Sequence, residues 1–188
     1  DVIKINLLKE NLLKVSAGRL TLVSTIDVYA SPQNVTEKSL CDNETPYGKN
    51  RRMFESFILD NFENVRILRL PIVFGKGFKK NYLYDMINKN NLQRICLDSR
   101  VQFYDVSDLY KDISTSWEST AVIRNLATEP LLVRTIAEKY FPSLVDQMLG
   151  TTPFKTDMKT NYAESSYIFS SKDLLEKIGL FLNETVYI

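Results

Sequence analysis

Residues 20–30 read LTLVSTIDVYA, residues 46–51 read PYGKNR and residues 65–77 read VRILRLPIVFGKG. The first and third stretches open on short apolar runs, 20–24 and 65–70. Runs of that length without alternation suit parallel strands buried on both faces. Between them Met53, Phe54, Phe57, Ile58 and Phe62 fall on one helical face, which predicts a helix from Tyr47 to about residue 62. Upstream, Ile3, Leu7, Leu8 and Leu12 recur at helical spacing among Lys and Glu, predicting an amphipathic helix over 2–15 that Gly18 ends. Helix, strand, loop, helix, strand is the alternation of a parallel sheet with crossover helices.

Outward from this core the signals become shorter. Residues 30–46 are polar, hold Pro32 and Pro46, and read as a loop. Pro71 stops the strand at 65–70. Beyond Gly75-Lys-Gly77 the pattern predicts a helix near 81–90, short strands near 93–97 and 101–105, and a helix over 107–117. A strand at 121–126, a helix from Leu131 to Phe141 and a short helix from Ser171 to Ile178, ended by Gly179, complete the reading. The glycines are Gly18, Gly48, Gly75, Gly77, Gly150 and Gly179, and none makes the G-x-G-x-x-G turn of a dinucleotide fold. The fold class is therefore α/β: a partial Rossmann-like, doubly wound parallel sheet with a small mixed α/β C-terminal region. Residues 1–75 would be the C-terminal half of the Rossmann-like domain, and 76–188 a second region intertwined with it.

Composition narrows the chemistry. The 188 residues carry a net charge of +1 and are 44% hydrophobic, which disfavours a dedicated nucleic-acid partner and allows a real core. No run of eighteen apolar residues predicts a membrane span, and the N-terminus lacks a signal-peptide layout. Cys41 and Cys96 share no motif and read as free thiols in a reducing cytoplasm. The chain has no histidine, which excludes a His-based triad or a His zinc site. No metal site is expected, and catalysis would fall to Tyr, Ser/Thr, Lys/Arg or carboxylates.

Three segments in order, Ser24-Thr-Ile-Asp-Val-Tyr-Ala30, Tyr47-Gly-Lys-Asn-Arg51 and Arg69-Leu-Pro-Ile-Val-Phe-Gly-Lys-Gly77, resemble the extended short-chain dehydrogenases/reductases, the NAD-dependent epimerase/dehydratase class. That class carries S-[ST]-x-x-V-Y-G at a strand end, then Y-G-x-x-K at a helix start, then R-x-x-x-V-[YF]-G-P-G. Further on, Val101 to Leu109 resembles its V-x-D-L segment, Ile123 to Ala127 the strand after it, and Phe169 to Gly179 its closing helix. The likeness covers roughly residues 1–180, with the glycine-rich nucleotide-binding half not among them.

The resemblance implies an NAD- or NADP-dependent enzyme acting on a sugar or nucleotide sugar. Tyr47 would be the catalytic acid/base, Thr25 the hydroxyl partner and Arg51 the neighbouring cation. A tyrosine hydroxyl ordinarily gives up its proton near pH 10, and a cation one helical turn away favours the phenolate. Ser24, Tyr47, Arg51, Pro71, Ile72 and Val73 would meet the cofactor, whose remaining contacts the other half would supply. Asp27, Val28, Lys79, Lys80, Asn81 and Arg100 would meet the substrate. A homodimer through residues 2–15 and 47–62 is also implied.

The chain departs from the pattern in four places. Arg51 stands where the class has lysine, and the exchange is not conservative. Ile72 replaces an asparagine of several nucleotide-sugar enzymes. Val101 aligns with a diphosphate-binding arginine, with Arg100 one residue earlier. Gly75-Lys-Gly77 replaces G-P-G. A second reading follows from the first departure: a non-catalytic relative that keeps the fold for binding or assembly. A third, an unrelated α/β domain, stays open at this stage.

Overall fold

The computed structural model describes residues 2–186, and its centre is a three-stranded parallel sheet. β1 (Leu20–Thr25) pairs with β3 (Val65–Leu70) along its whole length, from Leu20 opposite Val65 to Thr25 opposite Leu70. β7 (Ile123–Asn125) pairs with the other edge of β3, Ile67 opposite Ile123. The apolar run of β3 is explained by its two covered faces. Val65 and Ile67 pack on Phe54 and Ile58 of α2 (Pro46–Asn61), while Leu68 and Leu70 pack with Tyr104 and Leu126.

Pro71 does more than stop a strand. It cannot donate to a ladder, and at this point the chain changes sheets. β4 (Ile72–Phe74) leaves β1 and β7 and pairs in parallel with β6 (Phe103–Asp105). Two small pairings flank them: β2 (Gln33–Val35) with β9 (Asp157–Met158), and β5 (Arg100–Val101) with β8 (Leu131–Leu132). α3 (Tyr82–Asn88), α5 (Val133–Tyr140) and α6 (Ser171–Val186) close over the second region. Its core gathers Phe74, Leu83, Val101, Phe103, Ile136, Leu174 and Ile178.

Several expectations are corrected. Residues 93–97 form no strand: a 3-10 turn at Leu92–Arg94 leads into irregular chain, with Ile95 and Cys96 buried. Their apolar character served core packing rather than a ladder. The strand read at 101–105 is broken at Gln102 into β5 and β6. The polar loop 30–46 contains β2, which finds its partner more than a hundred residues later and so left no local signal. The 107–117 helix is a 3-10 turn at Val106–Asp108 followed by α4 (Leu109–Ser116). Gly179 does not end α6 but lies inside it. A side chain there would bring its Cβ within 2.5 Å of the Tyr140 hydroxyl, so the glycine serves close helix packing.

The first helix, α1 (Val2–Leu12), forms but stops three residues short of the 2–15 reading and before Gly18, and its apolar face is uncovered. Ile3 is 84% exposed and Leu7 57%, and only Ile5 and Leu12 reach the α2 side of the sheet. β1 likewise has no strand on its outer edge among the described residues. Parallel strands are rarely left open in this way.

Candidate active site

The site grows from the carboxyl ends of β1 and β3, where open α/β sheets place their ligands. β1 ends at Thr25, which caps the 3-10 turn Ile26–Val28. The Thr25 hydroxyl oxygen accepts the Asp27 N–H at 3.2 Å and donates to Asp27 Oδ2 at 3.0 Å. This closed pair fixes both side chains at the strand end.

α2 begins with Thr45 as N-cap, its hydroxyl accepting the Gly48 N–H at 3.2 Å, and Pro46 at the first turn. Tyr47 follows and is 44% exposed. Gly48 lets the helix start seat against the Ile26–Val28 turn. A Cβ at that position would lie 2.5 Å from the Asp27 carbonyl oxygen and 2.5 Å from Asn43 Cγ. One turn on, the Arg51 guanidinium lies over the Tyr47 ring, 5.0 Å from its centroid. Lys49 and Arg52 are both drawn to Glu44 instead, Lys49 at 3.5 Å. Of the three basic residues at this helix start, Arg51 is the one that attends Tyr47.

These pieces line a cleft of about 600 Å³. Thr25, Asp27 and Tyr47 share it with Pro71, Ile72 and Val73 and with Lys79, Lys80 and Asn81. The structure thus brings together most of the residues read from the sequence as site residues. Four are placed otherwise. Arg51 lies over the Tyr47 ring and does not itself line the cleft. Val28 is fully buried beside Ile26, Tyr29 and Met158 and offers a substrate nothing, a correction that follows from the tight 3-10 turn. Arg100 sits exposed on β5 and does not line the cleft. Ser24 reaches the cleft but its hydroxyl is committed to Glu55 Oε1 at 2.5 Å.

Glu55 is the residue that the sequence reading missed. It is buried and holds the buried Arg69 guanidinium by two bonds, at 3.0 and 2.6 Å. Arg69 also donates to the Tyr29 hydroxyl at 2.7 Å, and Tyr29 in turn reaches the Thr36 carbonyl at 2.9 Å. Burial alone would weaken the hold of Arg69 on its proton, but the bonds and charge of Glu55 prevail and raise its pKa. Burial likewise raises the Tyr29 phenol above its ordinary value, against the pull of Arg69. A signal did exist: opposite charges within the apolar face of one element and the apolar run of its neighbour. Such residues are almost never buried unless paired.

The cleft meets the requirements of a nicotinamide ring in part. Pro71, Ile72 and Val73 give an apolar wall beside the Thr25 and Tyr47 hydroxyls. A strand, glycine-rich turn and helix that would cradle a pyrophosphate do not occur among the described residues. No group of metal-ligating side chains occurs among them either. No helix among them is long and apolar enough to cross a membrane.

This α/β arrangement is a Rossmann-like fold. It is similar to MoeE5 in complex with UDP-glucuronic acid and NAD (18% identity, TM-score 0.74), matching over 98% of this chain and 70% of that one. It is also similar to UDP-glucuronic acid 4-epimerase from Bacillus cereus in complex with NAD (16% identity, TM-score 0.65, 92% of this chain and 63% of that one). A third likeness is to the Bordetella bronchiseptica enzyme WbmG in complex with NAD and UDP (19% identity, TM-score 0.59, 93% and 58%). No family model and no curated sequence matches the chain. At these identities the likeness establishes the fold, and the chain spans between about three-fifths and seven-tenths of the solved chains.

Proposed function

We propose that the chain is the catalytic and substrate-binding part of an NAD(P)-dependent epimerase, dehydratase or reductase acting on a sugar or nucleotide sugar. The observation that carries this reading is the convergence of Thr25, Asp27 and Tyr47 on one cleft, with the Arg51 charge one turn behind Tyr47. The solved relatives support it, since those described above are NAD complexes and two also hold UDP or a UDP sugar.

Oxidising an alcohol requires that the proton leave the oxygen as hydride leaves the carbon. Tyr47 takes and returns that proton, and Thr25 hydrogen-bonds the reacting oxygen by turning its hydroxyl away from Asp27. Arg51 places positive charge on the face of the phenol ring, where negative charge develops. A bound nicotinamide would supply the hydride acceptor, with Pro71, Ile72 and Val73 excluding water from its ring. The rest of the cofactor would need a cradle beyond the described residues, and the open outer edge of β1 is where the sheet can extend to provide it.

One observation favours a second reading, a non-catalytic relative kept for binding or assembly: Arg51 stands where the class has lysine. Turnover decides between them. With the full-length protein, NAD(P)(H) and UDP-glucuronic acid, Tyr47→Phe should lower kcat by roughly 10²- to 10⁴-fold, the usual worth of a positioned acid–base group. Undiminished turnover by Tyr47→Phe would refute the catalytic role. Absence of both cofactor binding and turnover in the wild type would establish the second reading.

A further inference from the structure

A second cavity, of about 830 Å³, adjoins the cleft, with Phe78 and Val106 lining both. Its walls are the loop 75–78, α3, the turn after β6 and the C-terminal half of α6. No step of the proposed chemistry uses it. We propose that this cavity binds a small aromatic anion, a flat ring system that carries one carboxylate or sulfonate group.

Three observations carry it. First, the walls are aromatic and already braced. Phe78 meets Tyr84 and Phe181 edge-on, with ring centroids 5.8 and 5.5 Å away, and Phe181 also meets the fully buried Phe74 at 5.5 Å. Rings held from the core can receive another ring with little ordering cost. Ile87 and Leu180 add aliphatic lining, and Leu180 is 65% exposed, so a ligand there would take apolar surface out of water. Second, the lining groups left without a partner are mostly donors. The Lys76 ammonium and the Tyr84 and Ser107 hydroxyls have no hydrogen-bond or ion-pair partner among the described residues. Lys177 is held by Asp108 at 2.8 Å, and Asp105 accepts the Ser107 N–H at 2.9 Å. Glu184, on the last turn of α6, stands against them as a lining carboxylate without such a partner among the described residues. One ammonium and two hydroxyls suit an acceptor-rich anion. Third, the loop is shaped to present Lys76. Gly75 and Gly77 stand at φ 151 and 85, in the region that favours glycine, and a Cβ on Gly75 would lie 2.2 Å from Val106 Cγ2. The backbone therefore lies close on Val106, and Lys76 lines the cavity while staying exposed.

The test uses the full-length protein and two fluorescent probes that share a ring system, anilinonaphthalenesulfonate and the uncharged phenylnaphthylamine. The sulfonate should bind at a saturable site roughly 10-fold more tightly than the uncharged probe, as for one charge-assisted bond. Lys76→Gln should weaken the sulfonate by about that factor and leave the uncharged probe unchanged. Leu180→Glu, which sets a carboxylate in the lining, should weaken both probes and the sulfonate more. Glu184→Gln should not weaken the sulfonate, and Lys79→Gln/Lys80→Gln in the neighbouring cleft should leave its binding as in the wild type. All five side chains are exposed, so circular dichroism of the variants should match the wild type. The proposal fails if the wild type shows no saturable site, if the two probes bind alike, or if Lys76→Gln binds the sulfonate normally. Loss of binding in the cleft variant would place the probe in the cleft, and weaker binding by Glu184→Gln would mark a cationic ligand; either overturns the assignment. Nothing in it depends on Tyr47, so failure of the acid–base reading and failure of this one are separately visible.

Discussion

Glu55 and Arg69 are both buried, and among the described residues they bond each other, Ser24 and Tyr29. Taking two charges out of water is costly, and the pair repays it only while both partners remain. Glu55→Ala should therefore destabilise the fold by about 3–5 kcal/mol in urea unfolding, because it strands the Arg69 guanidinium. Glu55→Ala combined with Arg69→Met should recover part of that loss, since no uncompensated charge is left behind. A double variant less stable than the single would count against the pair as an isolated unit. The pair also carries weight for the site, because Ser24 precedes Thr25 and is tied to Glu55 from the α2 side.

At the scale of elements, the site depends on how closely α2 approaches the turn after β1. Gly48 is the point of contact, and a methyl group there would overlap the Asp27 carbonyl and the Asn43 side chain, both backed by hydrogen bonds. Overpacking of this kind typically costs about 1–3 kcal/mol. Gly48→Ala should show that loss in a denaturation midpoint. It should also lower kcat/KM, since the helix start carrying Tyr47 must move away from Thr25. Stability lost with kcat/KM unchanged would mean that Tyr47 is not positioned by this contact. The spacing of Tyr47, Thr25 and Arg51 was legible in the sequence because it is local to two elements. The seating of one element on the other was not, because Gly48 reads as one more small residue until its neighbours are known.

Across the whole molecule, the buried phenols predict a loss of stability at alkaline pH. Burial raises the pKa of Tyr104, which donates to Asp112 at 2.5 Å, and the nearby carboxylates raise it further. Burial raises Tyr29 as well, and Tyr167 with the added effect of Asp157, though Tyr167 is only partly buried and counts for less. In each case the folded chain keeps a proton that the unfolded chain releases near pH 10. The unfolded state then binds fewer protons, so unfolding free energy falls as pH rises above that value and is unaffected below it. The slope is at most about 1.4 kcal/mol per pH unit for each buried tyrosine. Urea midpoints measured from pH 8 to 11 should be flat and then decline, and Tyr104→Phe should make the decline shallower. A midpoint that stays level through pH 11 would remove the basis of this expectation.

The sequence by itself determined the parallel strands β1 and β3 and the helices beside them, with Thr25 at a strand end and Tyr47 and Arg51 at a helix start. Apolar periodicity and capping are local properties of a few consecutive residues, and they survive without a partner in view. Only the tertiary structure decided what lies far apart in the chain. It paired β2 with β9, used the apolar residues at 93–97 for core rather than strand, and ran α6 through Gly179 against Tyr140. It also turned Ser24 to Glu55, buried Val28, and left Arg100 outside the cleft that Lys79 and Lys80 line. Burial and the direction of a side chain are set by contacts between distant segments, and no local pattern encodes them.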